Sequence, residues 1–455
     1  MRVDLITVLC TFAVAPIAAA DESTDNSALN WSQWRGPMMT GVAPHGDPPV
    51  EWGESKNVRW KVAVPGHGHA TPIVWEDRIY IQTAIKTDRE VETAGTGQPP
   101  DEPRDRRGRG GPGRMPIATP THVHRFVLLA LDRRTGKTLW QKTLREELPH
   151  EGGHQDASQA SNSPVTDGRR LVAYFGSRGL YCLDMNGELI WQKDLGDMQT
   201  RRSFGEGSSP VLFGDTVVVN WDHEGQSFVV ALDLKTGDQK WKVDRDEPTS
   251  WATPLVVDTP QGPQVVTSAT NKIRSYDLAT GELRWHCGGM TLNVIPSPLE
   301  ADGLLYVASG FRGNALMAVR YAGAKGDITD SEFIAWKYGG KGTPYVPSMV
   351  LYDGHLYLLD GNRPVLSCID AKTGELRYTK QRLEGLQGVF ASPVAANGRL
   401  YIPGRGGKTA IVQTGPEFKP LATNTLDDGF ASSPVIVGRE LILRGHQHLY
   451  SIAHD

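Results

Sequence analysis

Hydrophobic and β-branched residues between positions 209 and 241 fall into four short runs separated by turn residues. The runs are Val211–Leu212, Thr216–Val219, Phe228–Leu232 and Gln239–Trp241. Glycine and aspartate interrupt them, which is typical of short strands joined by tight turns. A four-stranded meander cannot bury both of its faces alone, so the stretch predicts a fold built from several copies of itself.

The same unit recurs along the chain at a nearly regular interval. Its copies begin at Pro72, Pro164, Pro210, Pro254, Pro298, Met349, Pro393 and Pro434. The spacing lies between 41 and 51 residues, except for a first interval of 92 that indicates one unit enlarged by an insertion. A period in the forties with four strands per unit predicts an all-β fold, an eight-bladed β-propeller of four-stranded antiparallel blades.

The second half of the unit carries the pattern A-x-D-x-x-T-G-x-x-x-W. Residues 130–140, 231–241 and 275–285 carry it almost whole, 182–191 is one residue short in the turn, and 368–378 ends in tyrosine. In the fifth unit, 318–336, the turn is lost. Asp and Thr-Gly suit a tight hairpin, and the tryptophan offers a large ring to wedge against the next blade. Repetition by period indicates a structural role for these residues rather than a catalytic one.

This motif is similar to the tryptophan-docking repeat of the quinoprotein-like, or pyrroloquinoline-quinone (PQQ)-like, β-propellers, along most of 30–453. The leader with Trp31 and Trp34 resembles that of exported members of planctomycete type. The resemblance implies two kinds of relative, the PQQ-dependent alcohol and sugar dehydrogenases and a non-catalytic outer-membrane assembly propeller. The dehydrogenases hold PQQ on the ring axis between a tryptophan and a Cys-Cys disulfide, with calcium and a catalytic Asp. This chain has no Cys-Cys pair and no stretch that matches those motifs, so no cofactor is expected except under the dehydrogenase alternative.

The chain ends suggest export and ring closure. Residues 1–20 resemble a signal peptide with cleavage near Ala20, which predicts a periplasmic or secreted protein without a transmembrane span. The last unit lacks its fourth strand, while Val58–Val64 is a lone strand with a docking tryptophan. We therefore expect a leader at 21–57 and a propeller at 58–455, closed by that N-terminal strand. The Pro-, Gly- and Arg-rich segment at about 85–121 is expected to be a disordered insertion.

Composition narrows the range of partners. The formal net charge of −4 gives no indication of nucleic-acid binding. After signal cleavage three cysteines would remain, Cys182, Cys287 and Cys368, and an odd number without a neighbouring pair predicts no disulfide framework. We expect a monomer that binds an envelope protein or a small ligand.

In an up-and-down meander, the loop leading into each blade and the turn between its second and third strands lie at one end of the ring, here called the mouth. Binding residues are expected there because loops carry function on rigid scaffolds. The predicted ligand-binding residues are His67, His69, His154, Asp156, Arg202, Glu206, Trp251, Asn293, Tyr345, Phe390, Asp428 and Phe430. A zinc or copper site is a further hypothesis, formed by His67, His69, His446 and His448 with Asp156 or Asp428 nearby. The alternative is that Gly-His-Gly-His is only a flexible polar loop.

The sequence therefore favours an exported binding or scaffolding propeller of the cell envelope with no evident catalytic residues. A PQQ-dependent dehydrogenase with a divergent site is the alternative. Hydrolase or lyase activity at the histidine-rich mouth is a third hypothesis, for which the sequence shows no nucleophile–base spacing.

Overall fold

The structure, a computed structural model, describes residues 26–91, 117 and 119–454. Within these residues the strands form eight antiparallel sheets that follow one another around a ring, which confirms the predicted eight-bladed propeller. The described part also contains three 3₁₀ turns, at Asn26–Leu29, Gly176–Arg178 and Arg201–Ser203. None of its helices is long and apolar enough to cross a membrane.

The strands of the first four blades follow chain order from the axis outward. Blade 1 contains β2 (Ile73–Trp75), β3 (Arg78–Glu90), β4 (His122–Asp132) and β5 (Thr138–Glu147). Blade 2 contains β6 (Val165–Thr166), β7 (Arg170–Tyr174), β8 (Leu180–Asp184) and β9 (Leu189–Lys193). Blade 3 contains β10 (Val211–Phe213), β11 (Thr216–Trp221), β12 (Ser227–Asp233) and β13 (Gln239–Arg245). Blade 4 contains β14 (Leu255–Val257), β15 (Gln264–Ser268), β16 (Ile273–Asp277) and β17 (Leu283–Cys287), and the short β21 (Gly326–Asp327) pairs in parallel with β17.

The other four blades repeat this order, with one difference at the end of the chain. Blade 5 contains β18 (Leu299–Ala301), β19 (Leu304–Ser309), β20 (Ala315–Arg320) and β22 (Ile334–Lys337). Blade 6 contains β23 (Val350–Tyr352), β24 (His355–Leu359), β25 (Val365–Asp370) and β26 (Leu376–Arg382). Blade 7 contains β27 (Val394–Ala396), β28 (Arg399–Pro403), β29 (Lys408–Gln413) and β30 (Lys419–Thr425). Blade 8 contains β31 (Val435–Val437), β32 (Glu440–Arg444), β33 (His448–Ala453) and, as its outer strand, β1 (Val58–Ala63).

The outer strand of blade 8 confirms the predicted ring closure. β1 pairs antiparallel with β33, and Lys61 lies opposite Tyr450. The two ends of the chain thus complete one sheet, so β33 is paired along both of its edges.

Burial differs between inner and outer strands, as their residue patterns predict. β11 is buried at all of its positions, whereas β13 alternates between exposed and buried side chains. An inner strand faces a neighbouring blade on each side and is therefore buried and mostly apolar, while an outer strand has one face in solvent. The hydrophobic cores consequently lie between blades.

Eight hydroxyl side chains form a closed circle around the axis, one from each blade. The backbone N–H of each donates to the hydroxyl of the next, in the order Thr71, Ser163, Ser209, Thr253, Ser297, Ser348, Ser392, Ser433 and back to Thr71. The donor–acceptor distances lie between 2.9 and 3.2 Å. This circle, called here the hydroxyl ring, satisfies the backbone amide at the start of every blade.

The docking motif joins each blade to the next through its turn. The carboxylate of Asp277 accepts hydrogen bonds from the amides of Ala279 and Thr280, as the turn chemistry predicts. Gly281 has a φ of +76°, and a Cβ there would lie 2.7 Å from the Trp241 ring of the preceding blade. Glycine is needed because the turn requires both a left-handed backbone and close approach of the indole.

The N-terminal leader packs against the ring at the end opposite the mouth. Trp31 is buried, and its backbone exchanges hydrogen bonds of 2.9 Å with Val74 of β2. Arg35 is fully buried and donates to the carbonyl oxygens of Pro393 and Met349, each at 2.6 Å. These residues directly follow two members of the hydroxyl ring, so the Arg35 guanidinium lies beside the axis, where burial lowers its pKa to about 9.

Two predicted segments fall largely outside the described residues. The proposed signal peptide at 1–20 is one of them. Strand β3 continues to Glu90, six residues into the segment expected to be a loop, and residues 92–116 are not described.

Candidate functional site at the mouth of the ring

The two sets of mouth loops lie side by side, as the meander requires. Isolated β-bridges join the loop leading into a blade to the turn region of the same blade, at His67 with Ala84 and at Phe430 with Gly445. Blades 5 and 6 show similar pairs. The structure thus brings distant loop residues together at one end of the ring.

A cleft of about 290 Å³ opens at the mouth beside blades 1 to 3. Most of its wall comes from the long connection 148–162 between β5 and β6. The polar and charged side chains around it are His67, His150, Glu151, His154, Gln155, Ser158, Gln159, Asn162, Arg178 and Glu206. Three of the predicted ligand residues, His67, His154 and Glu206, therefore line one cavity.

Glu206 is held against the amide of Ser177 at the base of this cleft. Its carboxylate accepts hydrogen bonds from the backbone N–H and the hydroxyl of Ser177, both at 2.6 Å. Gly176 makes this approach possible, since a Cβ there would lie 1.4 Å from the carboxylate oxygen. Burial raises the pKa of Glu206 despite these bonds.

Arg178 and His150 form a second group in the cleft that the sequence did not single out. Arg178 is buried and contacts Glu147 at 2.9 Å and the Nδ1 atom of His150 at 2.5 Å. Because Nδ1 accepts from the guanidinium, the imidazole proton is on Nε2, which donates to the carbonyl of Met198. Glu151 lies alongside with its pKa raised by burial. The only sequence signal for this group is the polar, Gly- and His-rich character of 148–162.

The remaining predicted residues are distributed around and above the axis. Asp156 forms a salt bridge with Arg405 of blade 7, whose guanidinium lies 4.2 Å from the ring centre of Phe390. Trp251 donates from its indole to the carbonyl of Gly205 at 2.7 Å. Arg202 is exposed, in a left-handed conformation with φ 51°.

Three predicted ligand-binding residues are partly or fully buried by packing within the propeller. Phe430 faces the core and packs on Tyr450 rather than on the mouth, because the loop leading into blade 8 pairs with Gly445 and turns the ring inward. Asn293 is buried, with its Oδ1 atom lacking a hydrogen-bond partner among the described residues. Tyr345 stacks on Phe311 at 5.0 Å, and burial raises its pKa.

Three of the four predicted metal ligands converge. One ligand atom from each of His67, His69 and His446 lies within 4.8 Å of the other two. His448 does not join them. Its ring lies 3.3 Å from the carboxylate of Asp428 and packs against Tyr450.

Asp428 explains why the two blade 8 histidines separate. Its buried carboxylate accepts hydrogen bonds from the backbone N–H groups of His446, Gln447 and His448. Three consecutive amides converging on one carboxylate define a tight turn rather than an extended strand. Asp428 therefore fixes the turn that presents His446, and its oxygens are occupied by the backbone.

An axial cavity of about 120 Å³ runs from the mouth to the leader. Its lining includes Trp34 from the leader, His69, Trp251 and Phe390 from the mouth, and hydroxyls of the ring. His67 lines the lateral cleft, whereas His69 lines this axial cavity. The histidine cluster accordingly separates the two spaces.

Comparison with known proteins shows one matching family model and several solved structures that share this fold. A family model described as outer membrane protein assembly factor BamB matches residues 124–288. A solved europium-containing methanol dehydrogenase is similar with a TM-score of 0.61 and 11% identity, over 93% of this chain and 98% of that chain. BamB from Moraxella catarrhalis is similar with a TM-score of 0.52 and 14% identity, over 72% of this chain and 93% of that chain.

The resemblance to the quinoprotein-like propellers is confirmed. Quinohemoprotein alcohol dehydrogenase from Comamonas testosteroni adds a TM-score of 0.57 at 11% identity, over 94% of this chain and 81% of that chain. No curated protein matches the sequence. At these identities the structural similarities show a shared fold alone, and the quinoprotein-like propellers include both catalytic and non-catalytic proteins.

The residues at the axis of this propeller do not fit PQQ with calcium. PQQ is a tricarboxylate, and the residues that line the axial cavity include neither a carboxylate for calcium nor a lysine or arginine for the quinone. The described cysteines, Cys182, Cys287 and Cys368, are free thiols buried within the blades. Burial raises the pKa of each thiol to about 12.

Proposed function

We propose that this protein is an exported binding or scaffolding propeller of the cell envelope that acts through its mouth and carries out no catalysis of its own. The observation that carries the proposal is the difference between the two ends of the ring. The mouth presents charged, aromatic and histidine side chains that differ from blade to blade around a cleft of about 290 Å³. The other end carries the repeated Asp-Thr-Gly turns and the packed leader.

A protein partner is the first candidate for the mouth. The family model that matches 124–288 is described as that of an outer membrane protein assembly factor. Exposed charged residues such as Arg202 and Arg405 lie on loops held by the rigid ring, the arrangement that recognition surfaces use. Asp156 and Arg405 further join loops of different blades into one surface.

A small polar ligand in the cleft is the second candidate. Arg178, Glu206 and His154 converge on one concave space that connects to solvent, and a few convergent polar groups in a cavity of this size are typical of ligand sites. Burial raises the pKa of both Glu151 and Glu206, so these two carboxyl groups bind a proton more readily than exposed ones do.

Site-specific photocrosslinking in the envelope of the native host would test the first candidate. A benzophenone amino acid at Arg202 on the mouth is compared with one at Lys235, an exposed turn residue at the other end. We expect an adduct of defined mass at position 202 only. Equal adducts at both positions, or at position 235 alone, would contradict binding through the mouth.

Two further measurements distinguish the alternatives. Native mass spectrometry of the protein purified from its host would reveal a small ligand as a discrete added mass, which substitution of Arg178 should remove. Addition of PQQ with calcium should give neither thermal stabilisation nor dye reduction with alcohols or aldoses. A clear response to PQQ would overturn the non-catalytic proposal.

A further inference from the structure

We propose that His67, His69 and His446 bind one divalent metal ion of the zinc and copper class at the mouth. The proposal goes beyond the binding function above and does not depend on it. It rests on the convergence of three imidazoles from blades 1 and 8. The members of the hydroxyl ring in these two blades, Thr71 and Ser433, are 362 residues apart in sequence.

The spacing of the three rings suits a single ion after a small inward movement. Their ligand atoms lie within 4.8 Å of one another, and their ring centres are 4.8, 5.7 and 6.2 Å apart. A point equidistant from three atoms at the largest spacing is about 2.8 Å from each, while Zn–N bonds are about 2.0–2.1 Å. Each nitrogen would therefore move by about 0.7 Å or less, which side-chain rotation provides.

The backbone at each histidine is fixed, so the convergence is not a chance position of free loops. The amide of His67 donates to the carbonyl of Ala84 at 2.9 Å, and that of His69 to the carbonyl of Ala160 at 3.0 Å. The amide of His446 donates to Gly429 at 3.0 Å and to Asp428 at 2.9 Å. Such preorganisation lowers the entropy cost of ion binding.

Two glycines make room for the cluster. A Cβ at Gly68, between the two blade 1 histidines, would lie 2.6 Å from the guanidinium of Arg444 and 3.0 Å from the carbonyl of Ala160. A Cβ at Gly429 would lie 2.7 Å from the His446 ring. A side chain at Gly429 would displace the His446 ring, and one at Gly68 would shift the loop that carries His67 and His69.

The imidazole nitrogens are free to coordinate. Among the described residues none hydrogen-bonds to the rings of His67, His69 or His446, and the buried Nε2 atom of His69 has no partner at all. An ion could therefore bind these rings without displacing an existing hydrogen bond.

The surrounding charges indicate which class of ion would bind. The Arg444 guanidinium donates to the carbonyl of Ala70 close to the cluster, and Arg405 is paired with Asp156. The oxygens of the Asp428 carboxylate accept hydrogen bonds from the backbone amides of His446 and His448, so they are not available as metal ligands. Three nitrogen ligands beside a cation do not suit calcium or magnesium, which need several oxygens, whereas they suit zinc and copper.

Three protein ligands leave a coordination position open. Since His67 lines the lateral cleft and His69 lines the axial cavity, the ion would lie between the two spaces. A zinc site with three histidines and an exchangeable fourth ligand can hold an oxygen, nitrogen or sulfur donor of a bound molecule. The inferred ligand class for the mouth is thus a molecule, or a partner side chain, with such a donor.

The test is metal binding by the tag-free full-length protein after removal of bound metal with a chelator. Zinc is titrated against a chromophoric competitor, and cobalt(II) serves as a spectroscopic probe of tetrahedral nitrogen coordination. We expect one ion per chain, with affinity reduced at least tenfold in each of His67→Gln, His69→Gln and His446→Gln. His355→Gln, which removes a histidine from blade 6, is the matched control and should bind as the unsubstituted protein does.

Two results would overturn the proposal. One is the absence of stoichiometric zinc binding at micromolar concentrations, and the other is unchanged affinity in His446→Gln. His446 is exposed, so its substitution should leave the fold intact, and far-UV circular dichroism would verify this. The photocrosslinking result at Arg202 is independent of metal, so failure of this inference is distinguishable from failure of the proposed function.

Discussion

The indole N–H of Trp241 donates a hydrogen bond to the carbonyl oxygen of Leu278 in the next blade, at 2.8 Å. Trp60, Trp191 and Trp336 make the equivalent bond at 2.9 to 3.0 Å. The indoles of Trp140 and Trp285 are buried without a partner among the described residues. These two tryptophans face the turns that the sequence shows to be shortened or lost, so the hydrogen bond depends on the complete Asp-x-x-Thr-Gly turn.

This difference predicts unequal costs for the same substitution at two docking positions. Trp241→Phe should lower the free energy of unfolding by about 1–2 kcal/mol more than Trp140→Phe, because only the former leaves a buried carbonyl without its donor. Both changes remove a similar amount of ring surface, and chemical denaturation of the two variants measures the difference. Equal destabilisation would show that the indole bond contributes nothing.

The glycine of the docking turn should be more sensitive to substitution than its backbone angle alone implies. Gly281→Ala should destabilise the protein by at least about 2 kcal/mol, because the new Cβ meets the Trp241 ring as well as straining a positive φ. Gly303 has a nearly identical φ of +75° with no atom near its Cβ position, so Gly303→Ala isolates the backbone cost at about 1 kcal/mol. Thermal unfolding that gives the same loss for both would contradict the docking role of Gly281.

A fully buried ion pair at the mouth is structural rather than part of a binding site. Arg245 contacts Asp222 through two hydrogen bonds of 2.9 and 3.0 Å, and both side chains are inaccessible to solvent. Asp222→Asn should cost about 3–5 kcal/mol, since it leaves the buried guanidinium uncompensated. The double substitution Asp222→Asn with Arg245→Met should recover part of this loss in denaturant unfolding. No recovery would indicate that the pair is not coupled.

The turn aspartates predict a pH dependence of stability. The hydrogen bond from Arg377, followed by those from the Thr373 amide and hydroxyl, lowers the pKa of Asp370 to about 2. A depressed pKa in the folded state stabilises the protein above the unfolded value of about 3.9, and this contribution disappears as the pH falls towards 2. Asp370→Asn should therefore be less stable than the unsubstituted protein at pH 7, by no more than about 1 kcal/mol because the pair is partly exposed.

Unfolding curves between pH 7 and pH 2.5 would measure how the difference in stability between the unsubstituted protein and Asp370→Asn narrows as the pH falls. Asp238→Asn, at an exposed turn position, is the control and should show little difference at any pH. If the stability difference between the unsubstituted protein and Asp370→Asn stays constant down to pH 2.5, the lowered pKa of Asp370 is contradicted.

The fold could be predicted from sequence because its determinants are local and repeated. The period of the Pro-initiated unit sets the number of blades, and the lone strand around Trp60 matches the missing strand of the last unit. The turn chemistry at Asp277 depends on residues only a few positions away. Each of these features can be read from residue identity and spacing, without knowledge of the contacts between loops.

The site could be predicted only in part because it depends on contacts between loops. His446 and His448 would share a face in an extended strand, but Asp428 binds three consecutive amides and turns them apart. The position of Phe430 in a loop predicts a place at the mouth, whereas a bridge to Gly445 directs its ring into the core. The contact of Arg178 with His150 joins two connections whose approach no sequence spacing indicates.

The pairing of β1 with β33 has a consequence for how the protein folds. Until β33 is available, β1 has no partner and the propeller cannot close. Because these two strands are distant in sequence, we expect ring closure to be a late and slow step, with both strand edges exposed to aggregation until it occurs.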